Sequence, residues 1–299
     1  MSNVLITGGS GLVGKKLSEL LMSKGYSVGH LTRSVSQKSD NIKRFFWDVE
    51  NGVIEEKAVP WADHIIHLAG ETVGQRWSKS VKQKIFKSRV DSTLLLVENL
   101  KKNTHHLKSF LCASAIGYYG EDTGDKLLIE ESPHGDGYLA DVVSNWESAA
   151  DTAVSFTDRI VKIRIGIVLS EEGGALAKML LPIKWGVGSA LGPGDQWMSW
   201  VHISDLCNMF LFALEKPLHG AFNGVGINPV TNKDFTRILA RHLHRPLILP
   251  NVPASVLKLM LGEMSVLALG SNRVEPVAFL KEGFTFEFAK LGEALKSLI

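Results

Sequence analysis

The sequence predicts an α/β fold in which a doubly wound, mostly parallel sheet is followed by a smaller C-terminal lobe. Three observations carry that expectation. From residue 3 to about residue 166, short β-rich apolar runs alternate with longer helical patterns, the order that builds a parallel sheet covered by helices. A glycine-rich turn separates the first apolar run from the first helical pattern. After Gly166 the chain changes to glycine-rich, proline-punctuated loops around short helices, most clearly between Gly186 and Gly194 and at Pro246 and Pro250. Residues 1–166 are therefore expected to form the sheet domain. Residues 167–299 are expected to form most of the lobe, with some elements returning to the sheet.

In chain order, strands are expected at residues 4–7, 27–32, 44–47, 64–68, 110–114 and 160–165. Helical spacing recurs at 12–23 and 94–100, and 138–156 carries the polar, charged face of a surface helix. No internal repeat or low-complexity segment stands out. With 299 residues and 45% hydrophobic content the chain can bury a large core.

Basic and acidic residues, 33 against 31, nearly cancel, so no global field would draw a nucleic acid or an anionic membrane, and neither is expected as a partner. Cys112 and Cys207 are too few for a disulfide framework and lack the paired spacing of a zinc site. Together they predict a reducing, cytoplasmic setting and no metal. Met1 leads directly into an apolar strand without the features of a signal peptide, and no run approaches the roughly 20 apolar residues of a membrane helix.

The strongest local signal is Thr7-Gly8-Gly9-Ser10-Gly11-Leu12-Val13-Gly14, placed directly after the strand and opening the first helix. At this spacing Gly8 permits a tight turn, Gly11 lets backbone approach a pyrophosphate, and Gly14 lets the helix pack closely on the strand. The helix N-terminus then offers free N–H groups to phosphate. Such a turn predicts a Rossmann-type dinucleotide site. A ligand-free turn does not account for three glycines so spaced, and a nucleoside triphosphate loop lacks its Lys-Ser/Thr pair. The second strand ends Thr32-Arg33, basic where an NAD-preferring domain carries an acid for the ribose hydroxyls. A guanidinium there suits the 2′-phosphate of NADP, although a solvated surface Arg would read the same way.

Further segments narrow the reading: His67-Leu68-Ala69-Gly70-Glu71, Arg76-Trp77, Ser88-Arg89, the run from Ser114 to Gly120, the run from Gly192 to Asp205, Pro229-Val230-Thr231-Asn232 and Gly270-Ser271-Asn272-Arg273-Val274. Together they resemble the atypical extended short-chain dehydrogenase/reductases, the epimerase-like family of bacterial YfcH and its eukaryotic relatives, over essentially the whole chain. The resemblance implies an NADP cofactor and a small-molecule substrate, a sugar nucleotide or a carbonyl compound; it leaves a homo-oligomer open. It also implies site residues. Thr32 and Arg33 would meet the adenosine ribose phosphate and Asp48 would lie near adenine. His67, Leu68, Ala69, Gly70 and Glu71 would run beside the cofactor, with Arg89 toward its phosphates and Val168 toward the nicotinamide. For Arg89 an ordinary helix-surface position competes with that role.

In that superfamily a Ser or Thr after the fifth strand positions the substrate, and a Tyr-x-x-x-Lys pair handles the proton that accompanies hydride transfer. Ser114 fits the first role, though a strand-end serine also commonly bonds backbone. Tyr138 fits the tyrosine, but the residue four positions on is Val142, so the lysine that lowers the phenol pKa is missing. Tyr118, Tyr119, Glu71, Lys184 and His202 are candidates to compensate. His202 and Asp205 read better as a structural hydrogen-bonding pair, and Trp77, Trp197 and Trp200 as pocket lining or core. Two functions remain: an NADP-dependent oxidoreductase or epimerase-like enzyme, and a catalytically degenerate NADP(H)-binding sensor or interaction protein.

Overall fold

The computed structural model describes residues 2–35 and 40–299. Its elements in chain order are β1 (Asn3–Thr7), α1 (Leu12–Ser23), β2 (Ser27–Thr32), β3 (Lys43–Asp48), β4 (Val53–Ile54), α2 (Ala58–Trp61), β5 (His64–His67), α3 (Lys79–Lys87), α4 (Val90–Lys102) and β6 (Ser109–Ala115). A 3₁₀ turn, Ile116–Tyr119, leads to β7 (Asp122–Leu128), α5 (Tyr138–Asp151), β8 (Ile160–Ile165), β9 (Ile167–Ser170), α6 (Gly174–Lys184), β10 (Trp197–Met198), β11 (Trp200–His202) and α7 (Ile203–Glu215). The chain ends with β12 (Gly220–Gly224), β13 (Val230–Thr231), α8 (Asn232–His242), α9 (Ala254–Leu261), α10 (Val266–Leu269), β14 (Ser271–Val274), α11 (Val277–Lys281) and α12 (Leu291–Leu298).

Eight strands form one sheet in the order β12-β8-β6-β5-β1-β2-β3-β4, parallel except for the β3–β4 edge pair. This is the expected doubly wound α/β fold. Strands β1 and β5 are buried at every position but Asn3, so neither shows the alternation of a half-exposed strand, and His64, His67 and Thr7 are buried with the apolar residues. Helices α1 and α7 cover one face and α2, α4 and α5 the other. Strand β12 and helix α7, from the second half of the chain, belong to this layer and its core.

A second core, centred on Leu176, Leu180, Trp200, Phe235, Leu239 and Leu295, holds the lobe together. The lobe draws on both halves of the sequence: β14 pairs in parallel with β7. Sequence periodicity ended the long C-terminal helix of the first half too late. Helix α5 stops at Asp151 and a 3₁₀ turn carries the chain to Phe156. Helix α3 carries four lysines and buries only Ile85, so it lacks an apolar stripe at helical spacing; its N-cap Ser78 accepts from the Val81 N–H.

Between α5 and β8 lies a buried ionic pairing. Glu147 and Asp151 lie one helical turn apart on α5, and Arg164 and Lys162 lie two apart on one face of β8. Because helix and strand run oppositely, Glu147 meets Arg164 at 2.8 and 3.0 Å, and Asp151 meets Lys162 at 2.7 Å. The Glu147–Arg164 pair is the buried one.

Three histidines are wedged into the sheet core, and burial pulls their pKa values down, His30 and His64 to about 4 and His67 to about 3. An imidazole whose folded pKa lies below its unfolded value of 6.5 takes up a proton first in the unfolded chain. Stability is therefore full above pH 6.5 and falls as the pH drops toward 4. Each histidine contributes up to about 1.4 kcal/mol per pH unit in that window. Urea unfolding between pH 7 and 4 should show the loss, and His64→Gln should flatten the slope. An unchanged slope would contradict a neutral buried His64.

Candidate functional site

The sheet order reverses between β1 and β5, and ligands of such sheets bind where strand order reverses, at the carboxyl ends of the strands. The 8–11 turn after β1 lies there. Gly8 adopts φ +68°, and a Cβ on it would lie 2.9 Å from the Leu68 carbonyl carbon of the loop after β5. At Gly14 a Cβ would sit 2.4 Å from the Gly8 carbonyl oxygen, so α1 can approach the turn only because that position is glycine. Gly11 differs. It is exposed, and a Cβ there would meet only the Gly8 oxygen, at 3.2 Å, with open space beyond. Gly11 is the N-cap of α1, no side chain caps the helix, and its first turn holds no acid, so its positive end faces the open side.

Gly9 is a glycine whose reason the spacing did not show. The His30 ring fills the space where its side chain would stand, 2.4 Å from an ideal Cβ. Ser18 donates to the Gly14 carbonyl at 2.6 Å, so the His30 Nε2–H donates to Ser18 Oγ at 2.8 Å. A polar plug thus supports the turn from below.

Thr7 accepts from the N–H groups of Leu68 and Ala69 at 3.1 and 3.0 Å and so donates to His67 Nδ1 at 2.7 Å. His67 then donates through Nε2 to Ser92 Oγ at 3.1 Å. Thr7 and His67 are fully buried, so they hold the loop from behind and line no open surface. Leu68 and Ala69 are half-buried, and Gly70 is exposed. Arg89 packs beneath this loop, with its Nη1 donating to the Glu71 and Ile85 carbonyls at 3.1 Å and its guanidinium 5.3 Å over Trp146. Burial draws its pKa down to about 10. At the other rim Arg33 is exposed just past β2. Asp48 ends β3, held below the usual carboxylate range first by hydrogen bonds from Asn51, with the nearby Arg33 charge adding to the effect. Ser10 and Gly11 are exposed and Leu12 and Val13 half-buried around the mouth of the turn. Gly174 stands between Leu12 and the Val168 carbonyl, which brings Val168 beside the start of α1.

The two expected catalytic hydroxyls are engaged elsewhere. Ser114 is buried and donates to Glu147 Oε1 at 2.6 Å, on the helix side of the sheet. Tyr138 begins α5 and donates to the Lys82 carbonyl at 2.6 Å; its ring meets Trp77 edge-on and lies under the Lys82 ammonium. Burial raises the Tyr138 pKa, and the Arg89 charge opposes part of the rise. Val142, where the superfamily has lysine, is a buried core residue. The Arg89 charge thus acts on this phenol while the Lys82 ammonium lies 4.9 Å from its ring centroid, and Lys82, whose carbonyl accepts from it, carried no motif by which sequence reasoning could have found it.

The remaining candidates are spread out. The Arg164 guanidinium stacks 3.5 Å from the Tyr118 ring centroid. Tyr119 donates to Asn223 at 2.6 Å, and burial pushes its pKa to about 12. Glu71 accepts from the Gln75 amide at 3.1 Å, and Lys184 is exposed at the end of α6. His202 caps α7 by accepting from the Ser204 N–H, and Asp205 accepts from the N–H groups of Glu287 and Phe288, a structural role for both. Trp200 is core, while Trp197 donates to Asp125. Among the described residues no cluster of His, Cys, Asp or Glu has the makings of a metal site, and no helix is long and apolar enough to cross a membrane.

The model of the NAD dependent epimerase/dehydratase family matches residues 4–225, and residues 252–298 match a domain of unknown function, DUF1731. The chain belongs to the NAD-dependent epimerase/dehydratase family. This family member is 38% identical to the epimerase family protein SH2119 of Staphylococcus haemolyticus, over 100% of this chain and 99% of that one. The structure is similar to the crystal structure of human epimerase family protein SDR39U1 with NADPH, with a TM-score of 0.88, 31% identity and coverage of 99% and 98% of the two chains. It shares its fold with the UDP-glucose 4-epimerase of Thermotoga maritima, with a TM-score of 0.76, 20% identity and coverage of 99% and 97%.

The contrast between two glycines of this epimerase-family turn is open to measurement. Gly14→Ala should destabilise the fold by about 1–3 kcal/mol, because α1 must back away from the Gly8 carbonyl. Gly11→Ala has an allowed backbone and open space, so it should cost under about 1 kcal/mol. Equal losses in urea unfolding would contradict the steric account.

Proposed function

We propose that the chain is an NADP(H)-dependent oxidoreductase or epimerase-like enzyme acting on a small substrate, either a carbonyl compound or a sugar nucleotide. The observation that carries this reading is the 8–14 turn: an uncapped helix N-terminus beside a glycine that leaves open space, at the switch point of the sheet. Free N–H groups so placed suit a pyrophosphate. The preference for NADP rests on Arg33, and on the similarity to a human protein crystallised with NADPH. The sugar-nucleotide option rests on the shared fold of an epimerase bound to UDP-glucose.

In this reading the stretch Gly8, Gly9, Ser10, Gly11, Leu12, Val13 and Gly14 holds the pyrophosphate. Thr32 and Arg33 hold the adenosine ribose phosphate, Asp48 lies by adenine, and Leu68, Ala69, Gly70 and Glu71 flank the cofactor, with Val168 toward its reacting end. Thr7, His67 and Arg89 keep those loops in place. Residues 1–166 serve the cofactor and 167–299 mostly the substrate. When bound, the nicotinamide cofactor would supply the hydride chemistry, which leaves the chain to move a proton at the reacting oxygen. With its pKa raised by burial, Tyr138 is protonated at neutral pH and suits the role of proton donor in reduction. It must first leave the Lys82 carbonyl, and the Arg89 charge favours the phenolate it becomes. Ser114 acts through Glu147, fixing the end of β6. A second reading, an NADP(H)-binding sensor without turnover, is favoured by one observation: both hydroxyls are committed to internal partners.

Titration of the purified chain should show NADPH binding more tightly than NADH. Arg33→Ala should weaken NADPH by about ten- to a hundredfold while leaving NADH nearly unchanged. Equal affinities, or a preference for NADH, would reject the NADP assignment. On any carbonyl compound or sugar nucleotide found to consume NADPH, Tyr138→Phe should lower kcat by about a hundredfold or more at unchanged NADPH affinity. Unchanged kcat would remove Tyr138 from the reaction, and tight binding without turnover across the screen would favour the sensor.

A further inference from the structure

Exposed apolar side chains are concentrated on one part of the lobe. Residues 189–192 run beside 250–252: Val252 N–H donates to the Ala190 carbonyl, Gly192 N–H to the Val252 carbonyl, and Ser189 Oγ to the Pro250 carbonyl. This ladder joins the segment that follows α6 to the segment that runs from residue 247 into α9, and Leu269 of α10 packs on Gly192 at its base. On these neighbouring elements Leu181, Trp185, Val187, Ile248, Leu259 and Met260 are more than half exposed, Trp185 at 77% and Leu259 at 82%. Side chains so far out of the surface protrude; they do not line a groove.

The charge around them is one-sided. Within residues 181–192 and 241–269 the cations are Lys184, Arg241, Arg245 and Lys258, and the only acid is Glu263, which Lys82 already pairs. All four cations are exposed, and among the described residues none has a carboxylate partner. The near-neutral balance of the whole chain conceals this local excess.

We propose that this face docks on a bilayer surface carrying anionic lipid. Protruding Trp, Leu, Ile and Met side chains enter the headgroup boundary, and the surrounding Lys and Arg residues meet the lipid phosphates. Charge argues against a second copy, since pairing the face with itself sets four free cations against four.

The test is pelleting of the full chain with phosphatidylcholine vesicles, with and without phosphatidylglycerol. Binding should require the anionic lipid and fall with salt. Two variants separate the contributions, Leu259→Ser with Met260→Ser removing apolar anchors and Lys184→Glu with Lys258→Glu reversing charge. Each should lower the bound fraction at limiting lipid by about tenfold while leaving thermal unfolding unchanged, because all four positions are exposed. Equal pelleting with neutral vesicles, no pelleting, or variants that bind as well as the parent would overturn the proposal. A dimer in sedimentation velocity that the apolar variant dissolves would assign the face to a second copy instead.

Discussion

The architecture depends on a backbone approach: the turn after β1 is pressed at once against the loop after β5 and the first turn of α1. Side chains at Gly8 and Gly14 would overlap main-chain atoms, and main chain cannot rotate away as a rotamer can. Only when this contact is closed does the end of α1 reach the switch point, and only then can Thr7 serve the Leu68 and Ala69 N–H groups while donating to His67. The loop beside the crevice is thus shaped by a hydroxyl and an imidazole that never reach the crevice themselves. Below the turn, His30 and Ser18 take the volume that Gly9 leaves.

On the other face of the sheet, the paired charges of α5 and β8 settle where the chain's polar groups go. Removing a carboxylate and a guanidinium from water is costly unless each is fully bonded, and here Arg164 reaches Glu147, Tyr119 and the Glu130 carbonyl together. Ser114 is drawn into the same network. The result is a buried polar network behind β6 that leaves the Ser114 hydroxyl committed to Glu147. Tyr138 stands outside this network, held by the Lys82 carbonyl on α3.

The lobe closes over this platform through two long side chains. Lys178 on α6 donates to the Gly74 carbonyl at 3.2 Å, and Lys82 on α3 pairs with Glu263 beyond α9. One ion pair and one exposed hydrogen bond hold loosely, so the lobe's own core, not these two contacts, keeps its elements together.

The residues that were legible in the sequence are those whose reason is local. The glycine turn shows itself because Gly8 takes a positive φ and Gly14 meets the Gly8 carbonyl, requirements set within a few residues, and the order of strands follows from runs of buried residues. Arg33 was readable because its place after β2 is set by chain order. The engagement of Ser114 and Tyr138, the use of Gly9 and the role of Lys82 were not readable. Their partners, Glu147, His30 and the Lys82 carbonyl, lie 21 to 56 residues away, and no period in the chain encodes such meetings. The α5–β8 charge ladder lies between these cases. Acids four apart on a helix and cations two apart on the next strand stand in the sequence, but only the antiparallel packing of helix on strand makes them partners. Sequence by itself determined the sheet and the turn at its switch point, because both follow from the backbone. Which polar side chains stayed free at that turn was decided by the tertiary structure, because a hydrogen bond depends on distance in space.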